Sequence, residues 1–309
     1  MSYTRVDPRP SVATAILPAV EVSFRLVDVF TPVPFAGNQL CVVPDPPVDL
    51  DATTMQALAQ EIGLSETTFV TGVRSGGYDV RIFTPDAELP FAGHPTLGTA
   101  FTLASEDRVG AHVMQTSAAG DVPVDVDLTG GMAWMEQLPP SFGNEFEDRA
   151  AVARAACLEP HDLVDGLPVV AGTTGLPHLM VAVRDEATLR RARRDDAGCG
   201  EVCAAAKAES IYLFTVRDDG DVMARMFDRG ANIGEDPATG SAAGPLGAYL
   251  AKHHLAGLPG PVVVAQGEMV GRPSFLHVEV EPRGDSFAVR VGGGVRIVGE
   301  GMFRLGEPN

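Results

Sequence analysis

Glu235-Asp236-Pro237-Ala238-Thr239-Gly240-Ser241-Ala242-Ala243-Gly244-Pro245-Leu246-Gly247-Ala248-Tyr249-Leu250 is the stretch on which the reading of this chain turns. Asp236-Pro237 starts a turn, because proline fixes its own φ and steers the residue before it away from helix. Small residues follow, and then Leu246, Tyr249 and Leu250 fall at helical spacing. The pattern predicts a loop that opens a helix between Thr239 and Ser241. Small side chains there leave the N–H groups of the first turn approachable, and such donors, with the helix dipole, bind anions. An ordinary capped helix packed tightly on a sheet fits the same stretch equally well.

A second copy favours the anion site. Phe91-Ala92-Gly93-His94-Pro95-Thr96-Leu97-Gly98-Thr99-Ala100-Phe101-Thr102-Leu103-Ala104 has the same build, a glycine turn and then a small-residue helix. Arg81-Ile82-Phe83 precedes one copy and Arg225-Met226-Phe227 the other. The two strands lie 144 positions apart and the two glycines 147, so a loop three residues longer reconciles them. Gly93 then matches Gly240, and His94 matches Ser241. Two related halves, each contributing one helix N-terminus, follow from an internal duplication.

At 309 residues the chain has room for two domains. A net charge of −18 argues against a nucleic-acid surface or a polybasic membrane contact. It also repels an anionic substrate at long range, so any anion site is built locally from helix ends and a few polar groups. Cys41, Cys157, Cys199 and Cys203 show no zinc pattern and read as free thiols of a reducing cytosol. The histidines show no paired metal spacing, and no metal is expected. Met1 to Val22, with three prolines and a short interrupted apolar run, reads as an extension, neither signal peptide nor membrane span. With no long apolar segment elsewhere, a soluble, cytoplasmic protein is expected.

In chain order, strands are expected over Phe24–Phe30 and Gln39–Val43, with a turn at Pro34-Phe35-Ala36-Gly37-Asn38 between them. Asp51–Ile62 reads as an amphipathic helix with Asp51 as its cap and Gly63 as its stop. Thr67–Val70 and Tyr78–Thr84 are strands leading to the first glycine motif. Strands follow near Val113–Thr116, Val122–Leu128 and Met132–Gln137, with His112 a solvated strand end. Pro139 to Glu147 reads as an interdomain linker. The second half offers helices over Asp148–Cys157, Ala187–Arg194 and Glu201–Lys207, and strands over Ser210–Val216 and Val222–Asp228. Four separate strands close the chain: Val262–Gln266, Phe275–Val280, Ser286–Val291 and Val295–Val298. Arg190, Arg191, Arg193 and Arg194 read as a solvated face. The result is an α+β fold of two pseudo-symmetric lobes, each a sheet wrapped around a central helix, facing each other across a cleft. The first lobe spans 23–140 and the second 141–309, with the last strand free to return to the first.

Glu66 sits where a turn enters a buried strand. A carboxylate there is costly unless hydrogen-bonded or functional, and desolvation raises its pKa toward the range useful for acid/base work. A surface glutamate at a strand mouth is the plainer reading. His94 reads either as a site residue or as an N-cap contact, and Asp236 as a site residue or a simple cap.

These residues resemble the PhzF-like isomerases, named after the phenazine-biosynthesis isomerase, which share the diaminopimelate-epimerase fold. The resemblance rests on Phe35-Ala36-Gly37-Asn38, Leu64-Ser65-Glu66-Thr67-Thr68-Phe69, Phe91-Ala92-Gly93-His94-Pro95, Glu235 to Ser241, and Gln266-Gly267 with Gly271-Arg272-Pro273-Ser274. Five motifs in family order cover nearly the whole chain after the extension. The resemblance implies a homodimer, no cofactor, and a small anionic carboxylic acid as substrate. It implies movement of a proton within trans-2,3-dihydro-3-hydroxyanthranilate or a similar acid. It places the general acid/base on Glu66, partners on His94 and Asp236, and substrate contacts on Gly93, Gly240, Ser241 and Asn38. The related two-base epimerases carry a cysteine before each motif glycine. Here those positions are Ala92 and Thr239, which favours isomerisation. A two-base epimerase or racemase, or a binding protein of the same fold without the chemistry, are the other readings.

Overall fold

The structure is a computed structural model that describes residues 20–230 and 234–305. The first half contains β1 (Val20–Val29), β2 (Asn38–Val43), α1 (Ala52–Ile62), β3 (Glu66–Arg74), β4 (Gly77–Phe83) and β5 (Glu88–Leu89). It continues with α2 (Gly93–Ser105), β6 (His112–Ser117), β7 (Gly120–Asp127) and β8 (Met132–Glu136). The second half contains β9 (Ser141–Glu145), α3 (Arg149–Ala155), β10 (Val170–Thr173), β11 (Pro177–Ala182), α4 (Glu186–Arg191) and α5 (Asp196–Ala206). Then come β12 (Ser210–Val216), β13 (Val222–Asp228), β14 (Glu235–Asp236), α6 (Gly240–Lys252), β15 (Gly260–Gln266), β16 (Ser274–Arg283) and β17 (Ser286–Leu305).

Strand pairing repeats between the halves. β2 runs parallel to β3, which pairs antiparallel with β4, which runs parallel to β6. In the second half β11, β12, β13 and β15 repeat that pattern in the same senses. Arg81 and Glu88 form a two-pronged ion pair beside Phe83, and Arg225 and Glu235 form its counterpart beside Phe227. The expected duplication is thus visible in topology and in side chains.

α2 and α6 are the cores of the two halves. Every residue of Gly93–Ala104 and of Gly240–Ala251 is buried, as expected of helices apolar or small all round. α2 packs on β1, β2, β7, β8 and β17, and α6 on β10, β11, β16 and β17. Around α2 the strands close into a ring, β1-β2-β3-β4-β6-β7-β8-β17 and back to β1. The fold is α+β of the diaminopimelate-epimerase type.

Several local expectations differ from the structure. The two closing strands are one strand of 20 residues, β17, which pairs with β16 and β8 and then with β1 along its whole length. Gly292-Gly293-Gly294, the gap between the two expected strands, lies inside β17, where a Cβ would meet Trp134 at 2.3 Å, Phe30 at 2.5 Å and the Thr31 carbonyl at 2.3 Å. The stretch read as a linker contains β9, which pairs with β10. Arg191 and Arg193 are exposed, as a solvated face requires, but the run also tethers the surface: Arg190 is paired with Glu268, Arg191 with Asp162, and Arg194 holds the Asp228 and Gly230 carbonyls. The expected extension lies outside the described residues up to position 19, and Val20 to Val22 belong to β1. No helix among the described residues is long and apolar enough to cross a membrane.

The N-termini of α2 and α6 meet backbone to backbone. A Cβ on Gly93 would lie 2.9 Å from the Ser241 nitrogen and 3.0 Å from the Gly240 Cα, and one on Gly240 would lie 2.9 Å from the Phe30 ring. Glycine to alanine in a helix normally gains up to about 1 kcal/mol. We predict the reverse for Gly93→Ala, a loss of about 1–3 kcal/mol from overpacking, read by denaturant unfolding. Gly110→Ala, with nothing within 4 Å of the new methyl, should lie within about 0.5 kcal/mol of the parent.

Candidate active site

The helices differ in how they begin. α1, α3, α4 and α5 are each capped by an aspartate, Asp51, Asp148, Asp185 and Asp195, whose side chain accepts from the first turn. α2 and α6 start at Ala92 and Thr239 with no side-chain cap. Their first-turn donors and the positive ends of two dipoles therefore converge without an internal acceptor. A cavity of about 320 Å³ opens there, lined by Glu66, His94, His178, Asp236 and Ser241 among others. A larger groove of about 600 Å³ elsewhere, along Glu136, Glu279 and Arg290, is lined mostly by exposed or half-buried residues.

Glu66 opens β3, and β2 beside it carries Leu40 at the paired position. Its Oε2 is buried and makes no hydrogen bond, although the His94 Nε2 lies 3.2 Å away. That imidazole N–H is instead directed at the Gln39 carbonyl, also at 3.2 Å. Burial, then the charges of Asp236 and Asp228, hold the Glu66 carboxyl well above the usual range. His94 is pushed down to about 3 by burial and is neutral at physiological pH. It is the second residue of α2, so the N-cap reading of this side chain does not hold.

Asp236 is held by side chains. Its Oδ1 accepts from the Asn38 amide at 2.8 Å and its Oδ2 from the Thr239 hydroxyl at 2.5 Å. It accepts nothing from the α6 backbone, so it is not a helix cap. Burial raises it to about 7, against the lowering effect of those two hydrogen bonds. Asn38 also donates to the Ala238 carbonyl and so ties β2 of one half to the motif loop of the other. Arg272 holds the same turn in place through the Gly37 and Ala36 carbonyls and the buried Asp28 carboxylate. Gln266 fastens the other side, donating to the Asp236 carbonyl and the Thr239 hydroxyl.

The structure brings Glu66, His94, Asp236, Gly93, Gly240 and Ser241 to one cavity, with Asn38 directly behind Asp236. Sequence reasoning missed His178, Ser210, Asp228 and Arg229, and quoted Gln266 only as part of a motif. His178 lies in β11, where Val169 to Val183 is an apolar run broken by Gly175 and Pro177, a hairpin signal that was there to be read. Asp228 and Arg229 lie at the end of β13 and line the cavity, and Arg229 is paired with Glu209. Among the described residues, no group of three or more histidines, cysteines or acids is placed to hold a metal ion.

The sequence model of the phenazine biosynthesis-like protein family (PhzC-PhzF) matches residues 27–301. The trans-2,3-dihydro-3-hydroxyanthranilate isomerase of Pseudomonas fluorescens is 32% identical, over 92% of this chain and 99% of its own. The crystal structure of a PhzF-family phenazine biosynthesis protein from Bacillus anthracis superposes with a TM-score of 0.83 at 26% identity, covering 93% of this chain and 100% of that one. A hydroxyproline epimerase from Agrobacterium vitis shares the fold, with a TM-score of 0.65 at 13% identity over 93% and 94% of the two chains. With its motifs gathered at two uncapped helix ends and its sequence matched over nearly all of the described fold, the chain belongs to the phenazine biosynthesis-like family of PhzF isomerases.

Proposed function

We propose that the protein moves a proton within a small unsaturated carboxylic acid, with Glu66 as the one general acid/base. The observation that carries this reading is the unpaired Glu66 Oε2 in a cavity between two uncapped helix ends. The substrate carboxylate sits at the start of α6, on the Gly240 and Ser241 N–H groups and the Ser241 hydroxyl. Gly93, at the facing helix end, closes over the same ligand. Ionised Glu66 takes a proton from carbon, and the electron pair delocalises through the conjugated system. The resulting carboxylic acid returns the proton to another carbon of that system, leaving Glu66 ionised again. Asp236, with a pKa near neutrality, and neutral His94 serve the substrate's heteroatoms as proton or hydrogen-bond partners. Such a shuffle needs no redox or electrophilic group, so we propose that it runs without a cofactor.

Inversion by two bases is poorly supported. The positions in front of the motif glycines are Ala92 and Thr239, and the Thr239 hydroxyl is committed to Asp236. The place corresponding to Glu66 in the second half is Ser210, aligned with β11 as Glu66 is with β2. One half thus carries an acid and the other a hydroxyl.

Incubation of trans-2,3-dihydro-3-hydroxyanthranilate with the protein in D₂O, followed by ¹H NMR, tests the reading. Consumption with deuterium at carbon is expected, and Glu66→Gln should slow it by at least about 10²-fold, the scale of a positioned acid/base. Equal rates for the two proteins would remove Glu66 from its role. If neither acts on this acid, the substrate assignment falls.

A second prediction concerns stability. Burial raises the Glu66 pKa, so the folded state keeps a proton that the unfolded chain releases above about pH 4.5. Stability therefore falls as pH rises through the raised value, and Glu66→Gln escapes that loss. The variant should melt a few degrees above the parent at pH 8, with the gap closing below about pH 4.5.

A further inference from the structure

His178 joins two hydroxyls in a line that the proposed reaction leaves unused. Its Nδ1 lies 2.8 Å from the Ser210 Oγ and its Nε2 lies 3.0 Å from the Ser241 Oγ. All three residues are buried, with Ser210 wholly so. Both partners are hydroxyls, so no carboxylate stabilises an imidazolium, and burial pushes the ring down to about 3. The ring is therefore neutral, with one nitrogen donating and the other accepting.

Ser210 decides which. Among the described residues its hydroxyl has no other partner than His178. If Nδ1 carried the proton, Ser210 would accept and its own hydrogen would be left buried without an acceptor, which is costly. If Ser210 donates to Nδ1, its buried hydrogen is used, and the one left over is that of Ser241, which lines the cavity. The proton then sits on Nε2, which donates to the Ser241 Oγ. The Ser241 hydrogen is thereby freed from the ring and available to a ligand in the cavity. In the opposite tautomer Ser241 would spend its hydrogen on His178 and offer the ligand lone pairs.

We propose that His178 and Ser210 are positioning residues that hold Ser241 as a hydrogen-bond donor toward the substrate carboxylate. This rests on the reading that the start of α6 binds a carboxylate. It assigns the second half of the molecule its own task. Where the first half places Glu66 and His94, the second places a neutral relay that selects for an acceptor.

The test uses the whole protein labelled with ¹⁵N-histidine and a two-bond ¹H–¹⁵N correlation spectrum at pH 7, with His178 assigned by His178→Gln. The Nε2–H tautomer is expected for His178 in the unliganded protein. Binding of anthranilate is then compared with that of 2-aminobenzamide, which has the same ring and no carboxylate. Wild type should prefer the acid. His178→Leu and Ser241→Ala should each weaken anthranilate by about 10-fold, the scale of one hydrogen bond to a charged group, with little effect on the amide. His178→Gln, which keeps an N–H near the Nε2 position, should recover most of the loss. A His178 Nδ1–H tautomer with the acid still preferred overturns the proposal alone. Equal binding of acid and amide by wild type removes the carboxylate reading and the proposal with it.

Discussion

Gly93 and Gly240 let the first turns of α2 and α6 touch through their backbones, and the chemistry is arranged about that contact. A single methyl group on either residue would have to displace backbone or ring atoms. Because the two ends meet, their dipoles and free N–H groups point at one small volume. The chain is strongly acidic, and the arginine lining the cavity, Arg229, is engaged by Glu209. In the proposed function, holding an anion there falls to backbone and hydroxyl donors. The same burial that makes the helix ends effective keeps Glu66 and Asp236 from ionising at the usual pH. In the proposed function, one geometric constraint therefore serves both binding and proton transfer.

The duplicated scaffold carries unequal chemistry. The β-strand pairing, the Arg81–Glu88 and Arg225–Glu235 ion pairs and the uncapped central helices are common to both halves. The residues facing the cavity have diverged. Glu66 and His94 stand in one half where Ser210 and Ser241 stand in the other. Asn38 and Arg272 then lock the halves together, since each reaches from a turn or strand of one to a loop of the other. In the proposed reaction, a rigid connection of this kind keeps the acid/base of one half within reach of the anion held by the other.

Much of this was legible in the sequence, because the same glycine turn and small-residue helix occur twice, each after an Arg-x-Phe strand. The helix starts at Gly93 and Gly240 and the duplication all follow from residue spacing. The parts that were not legible failed for identifiable reasons. Gly292-Gly293-Gly294 reads as a break because flexibility and close approach write the same letter, and here the cause is close approach to Trp134, Phe30 and Thr31. β9 was hidden in a proline-flanked, largely polar stretch whose partner, β10, lies some 25 residues further on. The arginine run gave no hint of its partners, since Asp162 and Glu268 are distant in sequence. His178 was invisible as a site residue because its partners, Ser210 and Ser241, are brought to it only by the fold.

The central claim is that burial without a hydrogen-bond partner for its Oε2 holds the Glu66 carboxyl well above the ordinary glutamate range. ¹³C NMR of the unliganded protein labelled at glutamate carboxyl carbons, with Glu66 assigned through Glu66→Gln, measures this directly. The account predicts a Glu66 midpoint well above that of an ordinary glutamate, falling when Asp236 is replaced by asparagine. A midpoint at the ordinary glutamate value, unmoved by that replacement, would contradict it.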